Sequence, residues 1–433
     1  MKKESHHWRR TFIYIFVTQC IIIVFLQCIT TKKKSRLLHW LRNVRRHICS
    51  KSIPYFDTVL EEDENEKEMS SKLQVVISKH FWDHIIGENS RDFPIDIVYT
   101  WVDGRDPKWI NRYEKEMKKE NQKITKSFFE NRYEDIEELR YSLRTIEKYA
   151  KFVNHIFIIT EGHRPSWIND QHPKLTFVNH SSIFPSHYQI NGKKISHSNL
   201  LPTFNSIAIE FAMVNIPELS EHFIYLNDDV FFGQQVYPSD FFTKEGKPIY
   251  YSMEKYTEFL PKKLEESHRY YSRKTYMTSA EIYHSCVSNT RLKIYNKYHR
   301  IFPYDLEHIS FPLAKTIMRK AKENFEIEVI MTMASKFRTA NDMHMQTLLF
   351  QQAMIGEPDL QYGYQKNITS SDGLFYIISK SSDVNYLQNH YYTNQLPKFF
   401  GINVDKVYYS SRVVCFLNEF MPNLSSFELN QTF

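Results

Sequence analysis

The sequence predicts an α/β protein with a mostly parallel sheet flanked by helices, an α-rich C-terminal part and one transmembrane helix in front of them. Two patterns carry this prediction. Short β-branched and aromatic runs alternate with segments whose apolar residues recur at helical spacing, which is typical of a parallel sheet covered by helices. One long apolar run, residues 12–31, precedes this alternation.

The apolar run is long enough to cross a bilayer core of roughly 30 Å as a helix. Basic residues flank it on both sides and no small-residue cleavage site follows, so we expect an uncleaved signal-anchor at 12–31 behind a short tail, residues 1–11. A basic juxtamembrane segment and an acidic stem fill residues 32–90, since residues 61–68 form a charge run typical of solvated linkers. One folded domain is then expected from residue 91 to 433.

Strands and helices alternate from the start of that domain. The first apolar run stops at the turn signal Asp103-Gly104, as expected at the end of a strand. The elements predicted from these patterns are, in chain order, a strand at 95–102, a helix at 133–150, strands at 155–160 and 175–178, a helix at 203–214 and a strand at 223–226.

Acidic residues follow three of these predicted strands directly. They are Asp103, Glu161 and the pair Asp228-Asp229. In a parallel sheet the ligand binds beyond the carboxyl ends of the strands. We therefore expect these carboxylates to gather on one edge of the sheet.

The charge distribution argues against a nucleic-acid-binding protein. The whole chain has a formal net charge of +6, but twelve Lys or Arg and a single acid, Glu4, fall within the first 51 residues, so the remainder is net negative. A nucleic-acid binder is expected to carry its basic patch on the folded domain. Here the basic charge flanks the apolar run, which is typical of a membrane surface.

The cysteines do not have the spacing of a zinc site, because none of the five stands in a CxxC or Cys/His pattern. Only Cys286 and Cys415 belong to the folded domain. They could pair in an oxidising compartment, and two free thiols are the alternative.

The segment Asn227-Asp228-Asp229 offers two adjacent carboxylates directly after an apolar run. Mg²⁺ and Mn²⁺ prefer oxygen ligands and are often held by one or two carboxylates together with phosphates. The segment therefore predicts a divalent-cation site with Asp228 and Asp229 as metal ligands, suited to a nucleotide diphosphate. A polar surface turn is the alternative interpretation of the same residues.

Long stretches of the domain resemble the signature blocks of the Stealth family. The first, IDIVYTWVDGRDPKW, is similar nearly residue for residue, and the resemblance extends over most of the domain, from Asp92 to Asn418. The matching stretches are 95–109 for the first block, 132–167, 201–210 and 222–232 for the second, 296–346 for the third and 416–419 for a reduced fourth.

The resemblance implies a sugar-1-phosphate transferase with a Rossmann-like, GT-A-like nucleotide-sugar fold. Such an enzyme moves a hexose or N-acetylhexosamine 1-phosphate from a nucleotide sugar such as UDP-GlcNAc to a hydroxyl of an acceptor glycan or glycoprotein, and it releases UMP. Bacterial members build capsule polysaccharide, and an animal relative, a GlcNAc-1-phosphotransferase, modifies lysosomal enzymes in the Golgi. The expected partners are the donor, the acceptor and a membrane, with a homodimer left open.

The resemblance also implies catalytic roles for His299, Arg338 and Asp229. Asp229 would act with the cation, Arg338 would hold phosphate oxygens, and His299 would be the base for the acceptor hydroxyl or a nucleophile. The family pattern places this histidine two residues before a proline, whereas His299 lies four before Pro303. His308 is the competing candidate.

Six further residues are expected to contact donor or acceptor. Arg140 and Arg144, one helical turn apart, would face phosphates, or would form an exposed basic stripe paired with neighbouring glutamates. Glu210 is expected to lie on the same helix face as Asn205. The six are Asp96, Asp103, Arg140, Arg144, Asn205 and Asp342.

Two other functions stay open on the sequence. A metal-dependent type II glycosyltransferase would have the same anchor and metal motif but would release UDP. A catalytically silent lumenal glycan-binding protein is the other alternative.

Two observations on membrane orientation conflict. The segment after the apolar run is more basic than the one before it, which by the positive-inside rule places the C-terminal bulk in the cytoplasm. Four glycosylation sequons, at Asn179, Asn367, Asn423 and Asn430, fit a lumenal domain. The resemblance decides for the lumen, so we expect a single-pass type II membrane protein of the Golgi.

Overall fold

A mostly parallel β-sheet lies at the centre of the fold, as predicted. The computed structural model describes residues 91–120, 133, 135–190, 192–253, 261–272, 277–356 and 362–429. The predicted signal-anchor at 12–31 and the stem at 32–90 lie outside these residues. No helix within the described ranges is long and apolar enough to cross a membrane.

The described residues form strands and helices in alternation over the first half of the domain. The strands are Ile95–Thr100 (β1), Ile156–Thr160 (β2), Leu175–Asn179 (β3), His187–Ile190 (β4), Lys193–Ser196 (β5), His222–Asn227 (β6), Val230–Phe232 (β7), Ile249–Ser252 (β8), Phe311–Ala314 (β9), Tyr364–Asn367 (β10), Gly373–Ile378 (β11) and Phe399–Val404 (β12). The α-helices are Pro107–Lys119 (α1), Glu138–Tyr149 (α2), His180–Ile183 (α3), His197–Leu200 (α4), Ser206–Ala212 (α5), Pro261–Ser272 (α6), Ser279–Tyr298 (α7), Lys315–Asn324 (α8), Glu326–Ala334 (α9), Met345–Ile355 (α10), Ser381–Tyr392 (α11) and Ser410–Phe420 (α12).

The central sheet has the strand order β3-β2-β1-β6-β9. The first four strands are parallel to one another, and β9 runs antiparallel to β6 at the edge. All of β2 and all of β1 except Thr100 are buried, as expected for strands covered on both faces. The position of each strand predicted here agrees with the structure to within two residues.

A second, three-stranded sheet follows the acidic turn and was not predicted. Its order is β11-β12-β7, with β12 parallel to β11 and antiparallel to β7. Between α7 and α10 the described chain is helical except for β9, and beyond α10 it contains strands as well as helices, so the C-terminal part is less helical than predicted. The helices α11 and α12 cover one face of this sheet, where an apolar cluster includes Phe231, Phe400 and Phe416.

The two cysteines of the domain do not pair. Cys286 is buried in α7, where its thiol donates to the carbonyl of Thr339, and Cys415 is exposed on α12, so each keeps its thiol. The disulfide considered from the sequence is therefore absent, and the alternative of two free thiols holds.

Candidate active site

The carboxyl ends of three parallel strands lie side by side. Thr100, the last residue of β1, is in register with Ile159 of β2 on one side and with Asn227 of β6 on the other. The loops that follow these strands contain Asp103, Glu161 and Asp228-Asp229, so the carboxylates do gather on one edge, as expected.

Asp228 and Asp229 form the turn between β6 and β7, and both are half-buried. Burial raises the pKa of Asp228 well above its usual range, and the carboxylates of Asp229 and Asp135 raise it further. Burial also raises the pKa of Asp229 to about 7. Among the described residues, the buried Oδ1 atom of Asp229 has no hydrogen-bond partner. Two adjacent carboxylates, one with an orphaned oxygen, fit a divalent cation that would compensate their charge.

Two further carboxylates near this turn were missed from the sequence. Asp135 lies just before α2 and Glu138 is its first residue. Burial raises the pKa of Glu138, and the charges of Asp228 and Asp135 raise it further. A helix that begins with acidic residues is common, so the sequence had no signal that these carboxylates face Asp228.

The acidic turn would leave most of a cation's coordination sphere to other ligands. Within the described ranges, no group of three or more His, Cys, Asp or Glu side chains has the arrangement of a metal site. Mg²⁺ commonly takes one or two carboxylates and completes its shell with substrate phosphates and water. Asp228 and Asp229 are suited to that kind of site.

His308 lies beside the acidic turn. Its Nε2 atom is 3.0 Å from the side-chain nitrogen of Asn227, the last residue of β6. Burial lowers the pKa of His308 to about 4, and the positive charge of Arg338 contributes to this. The ring is therefore neutral at pH 7, and its Nε2 atom accepts a hydrogen bond from the Asn227 amide.

His299, the residue expected to be the base, lies elsewhere. It is exposed and ends α7 with a left-handed backbone, φ 52°, the conformation of a common helix C-cap. Its backbone N–H donates to the carbonyl of Tyr295, and its ring contacts the edge of the Tyr295 ring. The structure thus gives His299 a helix-capping position and places His308, the competing candidate, beside the acidic turn.

Arg338 approaches the same edge of the sheet from the loop after α9. Its Nη2 atom donates to the hydroxyl of Ser206, the first residue of α5. Glu210, one turn further along α5, is buried, and burial raises its pKa to about 7 although the charge of Arg338 and a hydrogen bond from Tyr225 lower it. A guanidinium held in this way can present its planar fork to phosphate oxygens.

Asn205 and Asp342, both expected to contact substrate, hold the Arg338 loop in place. Asn205 is 0% exposed and Asp342 2% exposed. The Asn205 side-chain amide donates to Asp342 Oδ2 at 2.8 Å, and its oxygen accepts from the backbone of Ile207 as the cap of α5. Asp342 also accepts from the backbone and hydroxyl of Thr339. Both side chains therefore position Arg338.

Asp103 is the predicted substrate contact that lies at the carboxyl edge as expected. It is half-buried, its Oδ1 atom accepts from the backbone N–H of Arg105, and its own N–H donates to His163 Nε2. The next residue, Gly104, lies against the backbone of Tyr133, where a Cβ atom would be 2.2 Å from the carbonyl oxygen. Glycine is therefore required for this loop to fold against the start of the next segment.

Asp96 does not lie at this edge. It is the second residue of β1, at the opposite end of the sheet, and is 1% exposed. Its two oxygens accept hydrogen bonds from the side chain of Asn154 and the backbone N–H of Ser220. The structure thus assigns Asp96 to the amino end of the sheet and corrects its expected place at the donor.

Arg140 and Arg144 are not directed at the carboxyl edge either. The Nε and Nη2 atoms of Arg144 donate to both oxygens of Glu428, at 2.8 and 2.7 Å. Arg140 lies 3.5 Å from Glu428, forms an ion pair with Glu137 and covers the Trp167 ring. The pairing of Arg140 with Glu137 agrees with the alternative of neighbouring ion pairs, but Arg144 is buried on Glu428, and neither arginine lies at the carboxyl edge.

A buried chain of hydroxyl groups connects the carboxyl end of β1 to Glu210. The Tyr225 hydroxyl donates to Glu210 Oε1 at 3.3 Å and lies 3.0 Å from the Thr100 hydroxyl. Tyr225 is 1% exposed. This contact keeps the Glu210 carboxylate fixed beside Arg338.

Three family models match the chain. The model of Stealth protein conserved region 1 matches residues 93–120, that of region 2 matches 132–250 and that of region 3 matches 307–354. Asp228 and Asp229 fall in the second match, and Arg338 falls in the third. The third match begins at 307 and includes His308 but not His299, so the block expected from 296 begins later than predicted.

The curated relatives include bacterial polysaccharide phosphotransferases. An exopolysaccharide phosphotransferase of Streptomyces coelicolor is 34% identical over 60% of this chain, which spans 39% of that protein. Capsular polysaccharide phosphotransferases of Actinobacillus pleuropneumoniae and Neisseria meningitidis are 31% and 30% identical, over 79% and 72% of this chain and over 88% and 77% of their own lengths.

Two solved structures show weak similarity. An active-site mutant of LgtC matches with a TM-score of 0.34 and 10% identity, over 77% of this chain and 98% of its own. The WbbM bifunctional glycosyltransferase in its apo form matches with a TM-score of 0.35 and 9% identity, over 77% of this chain and 50% of its own. Similarity at this level supports no conclusion about fold or activity.

Proposed function

The chain belongs to the Stealth family, and from this premise we propose that it is a sugar-1-phosphate transferase. It would move a hexose or N-acetylhexosamine 1-phosphate from a nucleotide sugar to a hydroxyl of an acceptor glycan. One observation supports this most: His308 of the third conserved region contacts Asn227 of the second, directly before the acidic turn, and the charge of Arg338 acts on His308.

Bond changes in the proposed reaction occur at one phosphorus atom. The acceptor hydroxyl oxygen attacks the phosphorus that bears the sugar, and the bond from that phosphorus to the oxygen bridging the two phosphates breaks. The nucleoside monophosphate leaves with the bridging oxygen, and the sugar phosphate becomes a phosphodiester. Catalysis of this kind depends mainly on positioning and on stabilising charge at the phosphoryl oxygens.

Arg338 would supply that stabilisation from the protein. Its guanidinium is oriented by Ser206 and faces the buried carboxylate of Glu210, so it enters the reaction already in place. Asp228 and Asp229 would hold Mg²⁺ or Mn²⁺, and the cation would neutralise the diphosphate. The orphaned Oδ1 atom of Asp229 is the observation that fits such a cation.

His308 would take the proton of the acceptor hydroxyl. In the free protein burial and Arg338 keep its ring neutral, which leaves it ready to receive a proton. Donor phosphates would place negative charge next to Arg338 and offset its effect. The pKa of His308 would then rise in the complex, which makes it a better base where it is needed.

For the finer assignments we propose UDP-GlcNAc as the first donor to test and a lumenal, Golgi-type location on an N-terminal membrane anchor. The donor rests on the Stealth resemblance. The location rests on residues 12–31 and on the sequons at Asn179, Asn367 and Asn423. All three asparagines are exposed at the surface of the domain.

The nucleotide product tests the proposed function. Incubation of the full chain with UDP-GlcNAc, Mn²⁺ and a glycan acceptor is expected to yield UMP and a phosphodiester that mild acid cleaves. UDP as the sole nucleotide product would assign the protein to the glycosyltransferases. No nucleotide product from a panel of sugar nucleotides would favour a silent glycan-binding protein.

A further inference from the structure

The sheet formed by β11, β12 and β7 has one face covered by α11 and α12. Its opposite face is buried at Phe232 and Phe399 but exposed at Ile377 and Asn403. Side chains alternate along β11, and Tyr376 and Ile378 are buried in the cluster under α11 and α12. Phe375 and Ile377 therefore point to the other face. Phe375 is half-buried, whereas Ile377 is 58% exposed.

The register of the sheet places the exposed end of this face beside the candidate active site. Phe375 is paired with Gly401 of β12, and Gly401 is paired with Val230, which directly follows Asp229. Ile377 is paired with Asn403, one step further along the same face. The carbonyl of Asp229 accepts a hydrogen bond from Ile402 of β12 at 3.0 Å, so this part of the sheet is fixed to the acidic turn.

Phe375 also touches His308. The two rings meet edge to face, with centroids 4.9 Å apart and planes at 86°. The Phe375 ring lies on Gly401, where a Cβ atom would be only 2.3 Å from Cδ2 of the ring. Glycine at 401 thus allows the Phe375 ring to pack directly against the backbone of β12.

We propose that Phe375, Ile377 and Asn403, here called the shelf, bind the sugar ring of the acceptor. This inference rests on the proposed function, and it names a subsite that Asp228, Asp229, Arg338 and His308 do not themselves form. A pyranose presents an apolar face of C–H groups that packs on an aromatic or aliphatic surface, while its hydroxyls need polar partners. Phe375 and Ile377 supply the first, and the exposed side chain of Asn403 supplies the second.

The position of His308 favours the acceptor over the donor. The donor diphosphate would be drawn toward the positive charge of Arg338 and toward the cation that Asp228 and Asp229 would hold. A base must touch the hydroxyl whose proton it takes. The ring of His308 contacts Asn227 on one side and Phe375 on the other, so a sugar on the shelf would lie next to the base.

The test compares sugar binding with nucleotide release in the full chain. Saturation-transfer difference NMR with methyl α-mannopyranoside and methyl β-galactopyranoside, in the presence of UDP and diamagnetic Mg²⁺, reports which ring protons touch the protein. Phe375→Leu and Ile377→Ser remove the aromatic ring and the exposed apolar group. Tyr392→Leu is the matched control, because Tyr392 is an aromatic residue, 63% exposed, on α11.

In the wild type we expect ring-proton saturation from at least one pyranoside. Phe375→Leu and Ile377→Ser should each lower the affinity for it about tenfold, equivalent to about 1.4 kcal/mol. Tyr392→Leu should not change the affinity. In turnover the two shelf variants should raise KM for the pyranoside more than KM for the donor. Phe375→Trp, which keeps an aromatic ring, should leave KM for the pyranoside near the wild-type value. Equal saturation in wild type and shelf variants, or no pyranoside binding at all, overturns the shelf. Failure of the wild type to release UMP would instead refute the proposed function, whatever the NMR result.

Discussion

Asn227 and His308 are 81 positions apart in the chain, yet their side chains meet at 3.0 Å. This contact joins the acidic turn after β6 to the segment that leads into β9. It also favours His308 over His299 as the candidate base, because His299 caps a helix and makes its described contacts with Tyr295.

The first prediction concerns these two histidines. His308→Ala should lower kcat by about 10² to 10⁴, the usual contribution of a general base, with donor KM nearly unchanged. His299→Ala should keep near-normal kcat. Nucleotide release measured at saturating donor and acceptor distinguishes them, and a dead His299→Ala with an active His308→Ala would reverse the assignment.

The second prediction concerns the cation. Asp228→Asn and Asp229→Asn each remove a ligand charge, so both should abolish turnover and weaken Mn²⁺ binding measured by calorimetry. Because the pKa of each carboxyl is raised in the free protein, neutralising either one should not lower Tm. Asp103→Asn, at the same sheet edge, is the control for Mn²⁺ binding. Full activity in the presence of EDTA would contradict the metal assignment.

The third prediction concerns pH and Glu210. The folded-state pKa of about 7 is above that of an unfolded glutamate, about 4.5, so the folded protein binds more protons between these values and loses stability as pH rises through them. Glu210→Gln cannot lose that proton. The Tm of Glu210→Gln minus the Tm of wild type should therefore grow as the pH is raised from about 5 to about 8. The control Glu323→Gln, at an exposed site on α8, should show no such change in the difference. A constant difference in Tm across this range would refute the raised pKa.

The fourth prediction concerns the ion pair between Arg144 and Glu428, whose side chains are 6% and 2% exposed. Glu428→Gln leaves a buried guanidinium without its carboxylate and should cost about 3–5 kcal/mol in the free energy of unfolding. Glu137→Gln breaks a more exposed pair with Arg140 and should cost at most about 1 kcal/mol. Denaturant unfolding of both variants measures the difference, and equal losses would show that burial does not set the value of this pair.

The fifth prediction concerns topology. In a lumenal domain, Asn179, Asn367 or Asn423 should carry N-glycans, and glycosidase treatment should shift the protein on a gel. In sealed microsomes the domain should resist added protease. An unshifted band together with full protease sensitivity would place the domain in the cytoplasm, as the basic segment after the apolar run suggests.

Much of the central sheet could be predicted because its strands are short, apolar and separated by turn signals. The carboxyl-edge position of Asp103 and Asp228 followed from strand direction alone. The second sheet could not be predicted, since β7 has three residues and acquires its partner from β12, far along the chain.

The errors in the candidate site also come from contacts distant in sequence. Asp96 was predicted as a site residue because it lies in the first signature block. It lies at the amino end of β1, however, whereas the candidate site lies at the carboxyl end. The spacing of Arg140 and Arg144 described one helix face correctly, but nothing in it showed that Glu428 would occupy that face. His308 was only the competing candidate, because its contact with Asn227 joins positions distant in the sequence.

The pairing of Arg144 with Glu428 also has a consequence for the order in which the protein can mature on the ribosome. Arg144 emerges early, but its carboxylate partner is near the very end of the described chain. A product that terminates just after residue 354 would contain all three conserved regions, yet Arg144 would lack its carboxylate partner and β7 would lack its neighbour β12. The fold is therefore expected to be complete only after synthesis has passed Glu428, and a product that terminates just after residue 354 should be a substrate for quality control and not a smaller enzyme.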